Sequence, residues 1–332
     1  MPRRLTTWIL ACGLLLFGAT ACSSGDSGAD EDGQPTVQVE RVWALGSAES
    51  ADFGVIEAIE VDEDGTVYIA DRGFHQVIKV SPDGQILKRV GQRGAGPGEF
   101  AVGPRFLRVS NASVFVLEGE VGSDRMHEFD KDLNWIATHS LNPEVRPTNG
   151  LAISGGGHPV VVRSGLLGAH FVELRDGQEV ELQPIHPPRK GPWSSIFFDV
   201  APSGALVVQY RFLNRTEVHA GSASSVHRLA GLPAQADSAE VGAGMRQSPV
   251  TAGLSAYPTN LLVSHMSSGG EQVWMLGAHK ARMPHRTAFR FDLATGDTQE
   301  LVLPVERANA LGANSRRLCA DDRQTRLVCF AL

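Results

Sequence analysis

The sequence predicts an all-β fold: a six-bladed β-propeller of four-stranded antiparallel blades, the last blade closed by the N-terminal strand. Three observations carry this. The stretch Phe53–Phe100 reads as four short β runs, Val55–Val61, Thr66–Ala70, Gln76–Val80 and Gln85–Val90, separated by Asp64-Gly65, Arg72-Gly73 and Asp83-Gly84. Turn signals of the same kind recur downstream at a nearly constant interval. The two ends of the chain also carry complementary deficits of strands.

Asp-Gly supplies the positive φ that a tight hairpin turn needs. Alternating Val67 and Ile69, and Val77 with Ile78 and Val80, mark a sheet with a buried face. One four-stranded sheet cannot bury both faces alone, so it needs similar neighbours. Inner hairpin turns continue at Gly65, Asn111-Ala112, Gly156, Ser203-Gly204, Gly270 and Asn314, at spacings of 47, 44, 48, 66 and 44 residues. An interval of about 45 residues is the size of a four-stranded blade. The 66 marks an insertion at Leu232–Ala256, rich in Ala, Gly, Ser and Pro. Outer turns follow at Asp83-Gly84, Lys131-Asp132, Asp176-Gly177, Gly221-Ser222 and Thr295-Gly296. After Asn314 only 18 residues remain, enough for strands at Arg316–Ala320 and Arg326–Ala331 but not for a fourth. Thr36–Leu45 is an alternating strand with no partner of its own, so it is expected to complete the last blade and cover its edge. A β-sandwich is the competing architecture; the fixed interval and the split last unit favour the ring. With 36 glycines and 18 prolines, no long run keeps an amphipathic helical stripe.

Within this stretch a resemblance appears. VDEDGTVYIADRGFHQVIKVSPDGQILKRVG resembles an NHL-type repeat of six-bladed propellers, matching at Asp62, Gly65, Tyr68, Ala70-Asp71, His75, Val80, Asp83-Gly84 and Gly91. GAGPGEF, Gly94–Phe100, is similar to the link between blades of bacterial six-bladed propeller lipoproteins. The resemblance implies a fold and leaves the function open.

The N-terminus has the form of an export signal in residues 1–22. Arg3 and Arg4 precede a short apolar core, Trp8–Leu16, and small residues lead to Cys22. That core falls short of the ~20 apolar residues a membrane-spanning helix needs. Ala19-Thr20-Ala21-Cys22 resembles a bacterial lipobox, with Ala19 where leucine is usual. The resemblance implies acylation of Cys22, and Ser23 after it resembles lipoproteins sent to the outer membrane; cleavage with release is the alternative. Residues 23–35 read as a disordered Gly/Ser/Asp tether, and 36–332 as the propeller. Without the signal segment 28 basic residues face 37 acidic ones, a balance that excludes duplex nucleic acid as a partner. Of four cysteines, Cys319 and Cys329 remain as an even pair flanking a turn, which in an exported protein reads as a disulfide between adjacent strands; two buried thiols are the alternative.

No G-x-S-x-G, H-E-x-x-H or C-x-x-C motif is present. Gly94–Gly98 contains Pro97 and leads into a strand, so it reads as a tight link, not a phosphate loop. Glu57, Asn149 and Asn260 precede inner turns by similar distances and are expected at one height around the central channel. Arg72, Arg105 and His285 are expected on the surrounding loops. Pro147–Ser154 (PTNGLAIS) resembles the N-G-L motif of gluconolactonase/regucalcin-type propellers, which implies a divalent cation such as Ca²⁺ held by Glu57, Asn149 and Asn260. The aspartate of that pattern is missing, with Asp199 displaced toward the turn. His127, His139, His158, His265 and His285 lack metal-ligand spacing. The basic clusters His186–Lys190 and His279–Arg290 read as solvated loops, and Trp135, Trp193 and Trp274 as wedges between sheets. The expected function is an envelope-anchored binding or scaffolding module, monomeric and without a cofactor. Its partner would be an envelope protein, glycan or small molecule. The alternative is a metal-dependent lactone or ester hydrolase.

Overall fold

Each blade is built outward from its innermost strand through hairpins that the turn residues dictate. In the computed structural model, described residues run from 37 to 332 apart from 48, 51, 119–124, 142–149, 166–167, 183, 187–195, 230–233, 235–262, 270 and 278–285. Only the backbone is described for 37–38, 163–165, 168 and 263–269. In blade 1 the strands are Ile56–Val61, Val67–Asp71, Gln76–Val80 and Ile86–Val90. Gly65 takes φ 90° and closes the inner turn, with its N–H donating to the Asp62 carbonyl at 2.9 Å. Blade 2 comprises Pro104–Val109, Ser113–Glu118, Arg125–Asp130 and Trp135–Ser140. Blade 3 comprises Leu151–Ile153, Pro159–Gly165, Gly168–Arg175 and Gln178–Glu181. Ile196–Val200, Leu206–Tyr210, Thr216–Ala220 and Ala223–His227 make blade 4. Blade 5 is Val263–Gly269, Gln272–Gly277, Thr287–Asp292 and Thr298–Val302. Blade 6 is Leu311–Ala313, Arg317–Asp322 and Arg326–Ala331, completed by Arg41–Leu45.

The expected inner turns fall between these strands in all six blades and the expected outer turns in blades 1 to 5, Gly270 itself lying outside the described residues. The insertion at 232–256 is outside them too, except for Ala234. Apolar side chains form six clusters, each lying between two neighbouring blades. The core is therefore six wedges around an axis, the arrangement expected when a sheet must bury both faces against copies of itself.

The N-terminal segment closes the ring as expected, with one correction. It is not one strand. Val37–Gln38 pairs in parallel with Thr298–Val302 of blade 5, and only Arg41–Leu45 pairs antiparallel with Arg326–Ala331. Between the two, Val39 is buried against Leu301 and Leu303, which turns the chain from one sheet to the next. The register then slips between Arg41 and Trp43, leaving Val42 outside. Trp43 donates from Nε1 to the Pro82 carbonyl at 2.8 Å and packs over Gly84, where an added Cβ would lie 2.9 Å from the indole. Arg317 reaches the same carbonyl, and Asn314 Nδ2 donates to the Asp62 carbonyl at 2.6 Å. Cys319 and Cys329 face each other across the last hairpin and form the disulfide.

One polar device repeats at the end of the second strand of three blades. Asp71 accepts N–H bonds from Gly54 at 2.8 Å, Val55 at 3.0 Å and Phe74 at 3.1 Å. Glu118 accepts from Val102 at 3.0 Å, and Asp321 from Asn309 and Ala310 at 2.6 Å and from Gln324 at 2.8 Å. Each carboxylate satisfies buried amides of the loop that enters its blade. Asp71 thus ties down its loop.

Candidate functional site

Equivalent positions on the inner strands follow from the turns. Asp62, Ser110, Ser154, Ala201 and Asn314 each donate their backbone N–H across the inner turn at 2.8–2.9 Å, so they occupy one level. Two residues earlier lie Glu60, Arg108, Ala152, Asp199 and Gly312. Five residues before the turn lie Glu57 and Arg105. On both strands the register skips there, between Ile56 and Ala58 and between Pro104 and Phe106. In a regular strand residues i and i+3 point to opposite faces; a bulge removes that parity. Glu57 and Glu60 of blade 1 consequently meet Arg105 and Arg108 of blade 2 as two successive rungs, about 10 Å apart along the strands.

The lower rung is closed. Arg108 Nη1 donates to Glu60, and Nη2 donates to Asp199 of blade 4 at 3.4 Å. Their side chains are 10%, 9% and 2% exposed. One guanidinium therefore links three blades across the axis. The small Ala152 and Gly312 at the same level leave it room. At Gly312 even a methyl group is excluded, because an added Cβ would lie 2.4 Å from the Ile59 carbonyl oxygen. Burial pushes Glu60 up to about 7, with Arg108 pulling it down and Asp199 pushing it further up. Burial works against the Arg108 charge, and the two carboxylates more than restore it.

The upper rung is the more exposed of the two. Arg105 Nε stands 3.6 Å from the Glu57 carboxylate, their side chains 27% and 9% exposed. Arg72, on the turn after Asp71, adds a second positive field on Glu57. Burial nevertheless raises the Glu57 pKa, outweighing the pull of Arg105 and then Arg72. The Arg105 guanidinium lies 5.2 Å from the Phe106 ring. Gly103, at φ 96°, holds the chain against Arg72, whose Cγ an added Cβ would approach to 3.0 Å.

Of the six residues expected at the mouth, the structure brings Glu57, Arg72 and Arg105 together, Arg105 standing on the innermost strand of blade 2 and not on a loop; Asn149, Asn260 and His285 lie outside the described residues. Glu60 and Arg108 were missed in the sequence, and Asp199 was read as displaced although it shares their level. Aligning the blades on their inner turns exposes all three. The Glu57 surroundings do not suit a divalent cation, since an ion 2.3–2.6 Å from that carboxylate would stand against the Arg105 guanidinium. Among the described residues no cluster of three His, Cys, Asp or Glu suits a metal ion. His127 is buried with Nε2 2.9 Å from Glu118 and Nδ1 3.1 Å from the Thr138 hydroxyl. His75, at φ 55°, lies 3.1 Å from the Phe100 carbonyl, and Glu99 accepts the Gly96 N–H at 2.8 Å, so that loop is a link between blades. Trp274 is a buried wedge, Trp135 is exposed on the rim, and Trp193 lies outside the described residues.

Fold and channel define a six-bladed β-propeller. No family model matches the chain, and no curated protein does. Solved structures do match in shape. Virginiamycin B lyase from Staphylococcus aureus is similar at 13% identity and a TM-score of 0.52, covering 87% of this chain and 98% of that one. A member of the DUF4221 family from Bacteroides vulgatus has 11% identity and a TM-score of 0.58, covering 88% and 96%. Regucalcin from Agrobacterium tumefaciens, a calcium-binding protein, has 11% identity and a TM-score of 0.52, covering 89% and 94%. At such identities the likeness shows the fold alone.

Proposed function

We propose that the protein is an exported propeller, lipid-anchored through Cys22 to the bacterial envelope, that binds a ligand or protein partner at its channel mouth. The observation that carries this is the contrast between the partly exposed Glu57–Arg105–Arg72 group and the buried Glu60–Arg108–Asp199 group below it. A charged group within reach of solvent above a buried one suits reversible binding. The apolar stretch Trp8–Leu16 before Cys22 supports export, and among the described residues no helix is long and apolar enough to cross a membrane. The metal-dependent hydrolase reading gains nothing from the mouth, where Glu57 is matched to guanidinium groups.

Native mass spectrometry of protein purified from the envelope tests the binding reading. A co-purifying species that is present in the wild type and lost in Arg105→Gln supports it. A species unaffected by Arg105→Gln defeats the assignment to the mouth, and a stoichiometric divalent ion lost in Glu57→Gln establishes the metal reading instead. Replacing Cys22 by Ser is expected to move the protein from the membrane to the soluble fraction.

A further inference from the structure

An open sheet edge is a template for another strand, and proteins blunt such edges with bulges, charges or a covering segment. Five of the six outer edges here are treated in one of these ways. In Ile86–Val90, Trp135–Ser140 and Arg41–Leu45 the register skips one residue, leaving Leu87, Ile136 and Val42 unpaired and exposed. Thr298–Val302 is covered by Val37–Gln38. Gln178–Glu181 is regular but carries two carboxylates, Glu179 and Glu181. Among the described residues, Ala223–His227 of blade 4 alone is regular, uncovered and without Asp, Glu, Lys or Arg, and its first four residues are exposed. We infer that this edge is a homodimer interface, in which Ala223–His227 of two copies pair antiparallel about Ser225 and join two blades into one sheet. The dimer replaces the monomer expected from the sequence and does not depend on the channel mouth.

The strand is suited to pairing with its own reverse. Gly221, at φ 60°, and Ser222 form a two-residue turn, so the flanking pair Ala220 and Ala223 exchanges hydrogen bonds. Alternation then turns the N–H and C=O groups of Ser225 and His227 inward and those of Ser224 and Val226 outward. These two lie on either side of Ser225. A twofold axis there sets Ser224 of each copy against Val226 of the other and forms about four N–H···O bonds. The side chains agree with that register: Ser225 faces its own copy, Val226 faces Ser224 and His227 faces Ala223, so no like charges are opposed. The nearest buried charge is already matched. Glu217, the cross-strand partner of Val226, lies 2.6 Å from Arg215 Nε and 3.1 Å from His219 Nε2. The strand is also fixed before a partner arrives, which lowers the cost of pairing. His227 meets the Phe291 ring edge-on at 4.9 Å, packs against Gly296 of blade 5 and stands 2.7 Å from the Ser225 hydroxyl.

The test is sedimentation velocity on the full chain in density-matched detergent, followed by oxidative crosslinking in the membrane. A concentration-dependent dimer is expected. Ser225→Lys and Ser225→Glu each oppose two like charges across the axis and should raise the dimer dissociation constant at least ~ten-fold. Mixing the two variants should restore a dimer, now a mixed one. Ser225→Cys should form a disulfide between copies, because the two residues face each other as a non-hydrogen-bonded pair with Cα atoms about 4.5 Å apart. Val180→Cys, on the outer edge of blade 3, is the control and should form none. Near-ultraviolet circular dichroism confirms that each variant is folded; if a charged variant is not, the Ser225→Cys link decides. A folded wild type that stays monomeric at every concentration, with no link through Ser225→Cys, overturns the inference. So does a dimer that Ser225→Lys leaves intact, a mixture that recovers none, or a link through Val180→Cys in place of Ser225→Cys. A Ser225→Cys variant joined to a different envelope protein, with no link between copies, assigns the edge to that protein's strand and overturns the second copy.

Discussion

The seam in blade 6 and the channel wall between blades 1 and 2 hold the same ring together by opposite means. At the seam many modest contacts overlap: a strand ladder, a disulfide, a tryptophan on a glycine and several carbonyls capped by Arg317 and Asn314. In the channel a single guanidinium satisfies carboxylates from two other blades. The seam is redundant, so it degrades gradually. The channel depends on charge balance, so one substitution unbalances it.

The largest effect is expected from removing the seam strand outright. Deleting residues 36–45 exposes the edge of Arg326–Ala331 and uncovers the blade 6 core, and the variant should show no cooperative urea transition and should aggregate. Next comes Arg108→Ala, which leaves Glu60 and Asp199 buried without their cation. A loss of about 3–5 kcal/mol is expected by chemical denaturation. Replacing all three groups together, as Glu60→Gln, Arg108→Met and Asp199→Asn, should be milder than Arg108→Ala alone. An equal or larger loss in the triple variant would show that packing, not charge, governs the site.

Both regions should respond to pH, the channel over the higher range, because burial raises Asp321 of blade 6 only to about 6. Glu60 binds its proton more tightly folded than unfolded, so its contribution is complete below pH ~4.5 and disappears as pH rises through about 7. A shift from 4.5 to about 7 corresponds to roughly 3 kcal/mol. Urea midpoints measured across this range should fall toward pH 7, and Glu60→Gln should remove the part of that slope above pH ~6, where Asp321 is already ionised. An unchanged slope would mean that Arg108 keeps Glu60 ionised throughout. The smallest effect belongs to the disulfide. Its loop spans a sequence separation of 10, so Cys319→Ser with Cys329→Ser should lose about 2–3 kcal/mol while keeping a cooperative transition.

The seam was legible in the sequence because it rests on local signals. Asp83-Gly84, Asn314 and the surplus strand near Trp43 each announce themselves within a few residues, and the ring follows from their spacing. What escaped was the division of that strand at Val39, since alternation alone does not say which sheet receives each residue. The mouth was half legible: Glu57, Arg72 and Arg105 were singled out, but not as partners. The pattern Glu57-x-x-Glu60 against Arg105-x-x-Arg108 was in view. A two-residue period assigns such spacings to opposite faces, and only the bulges at Glu57 and Arg105 cancel that. Asp199 stands 91 residues from its cation, a pairing that exists only once the circle is complete.

Because Arg41–Leu45 and Arg326–Ala331 are neighbours, a strand made early in synthesis must wait for almost the last. During synthesis blades 1 to 5 have time to assemble as an open arc while the surplus ribbon stays unmatched, and the arc cannot lock until Ala331 has emerged. Closure of the ring is therefore the last event of folding, and the bond between Cys319 and Cys329 lies within the sheet that closes it.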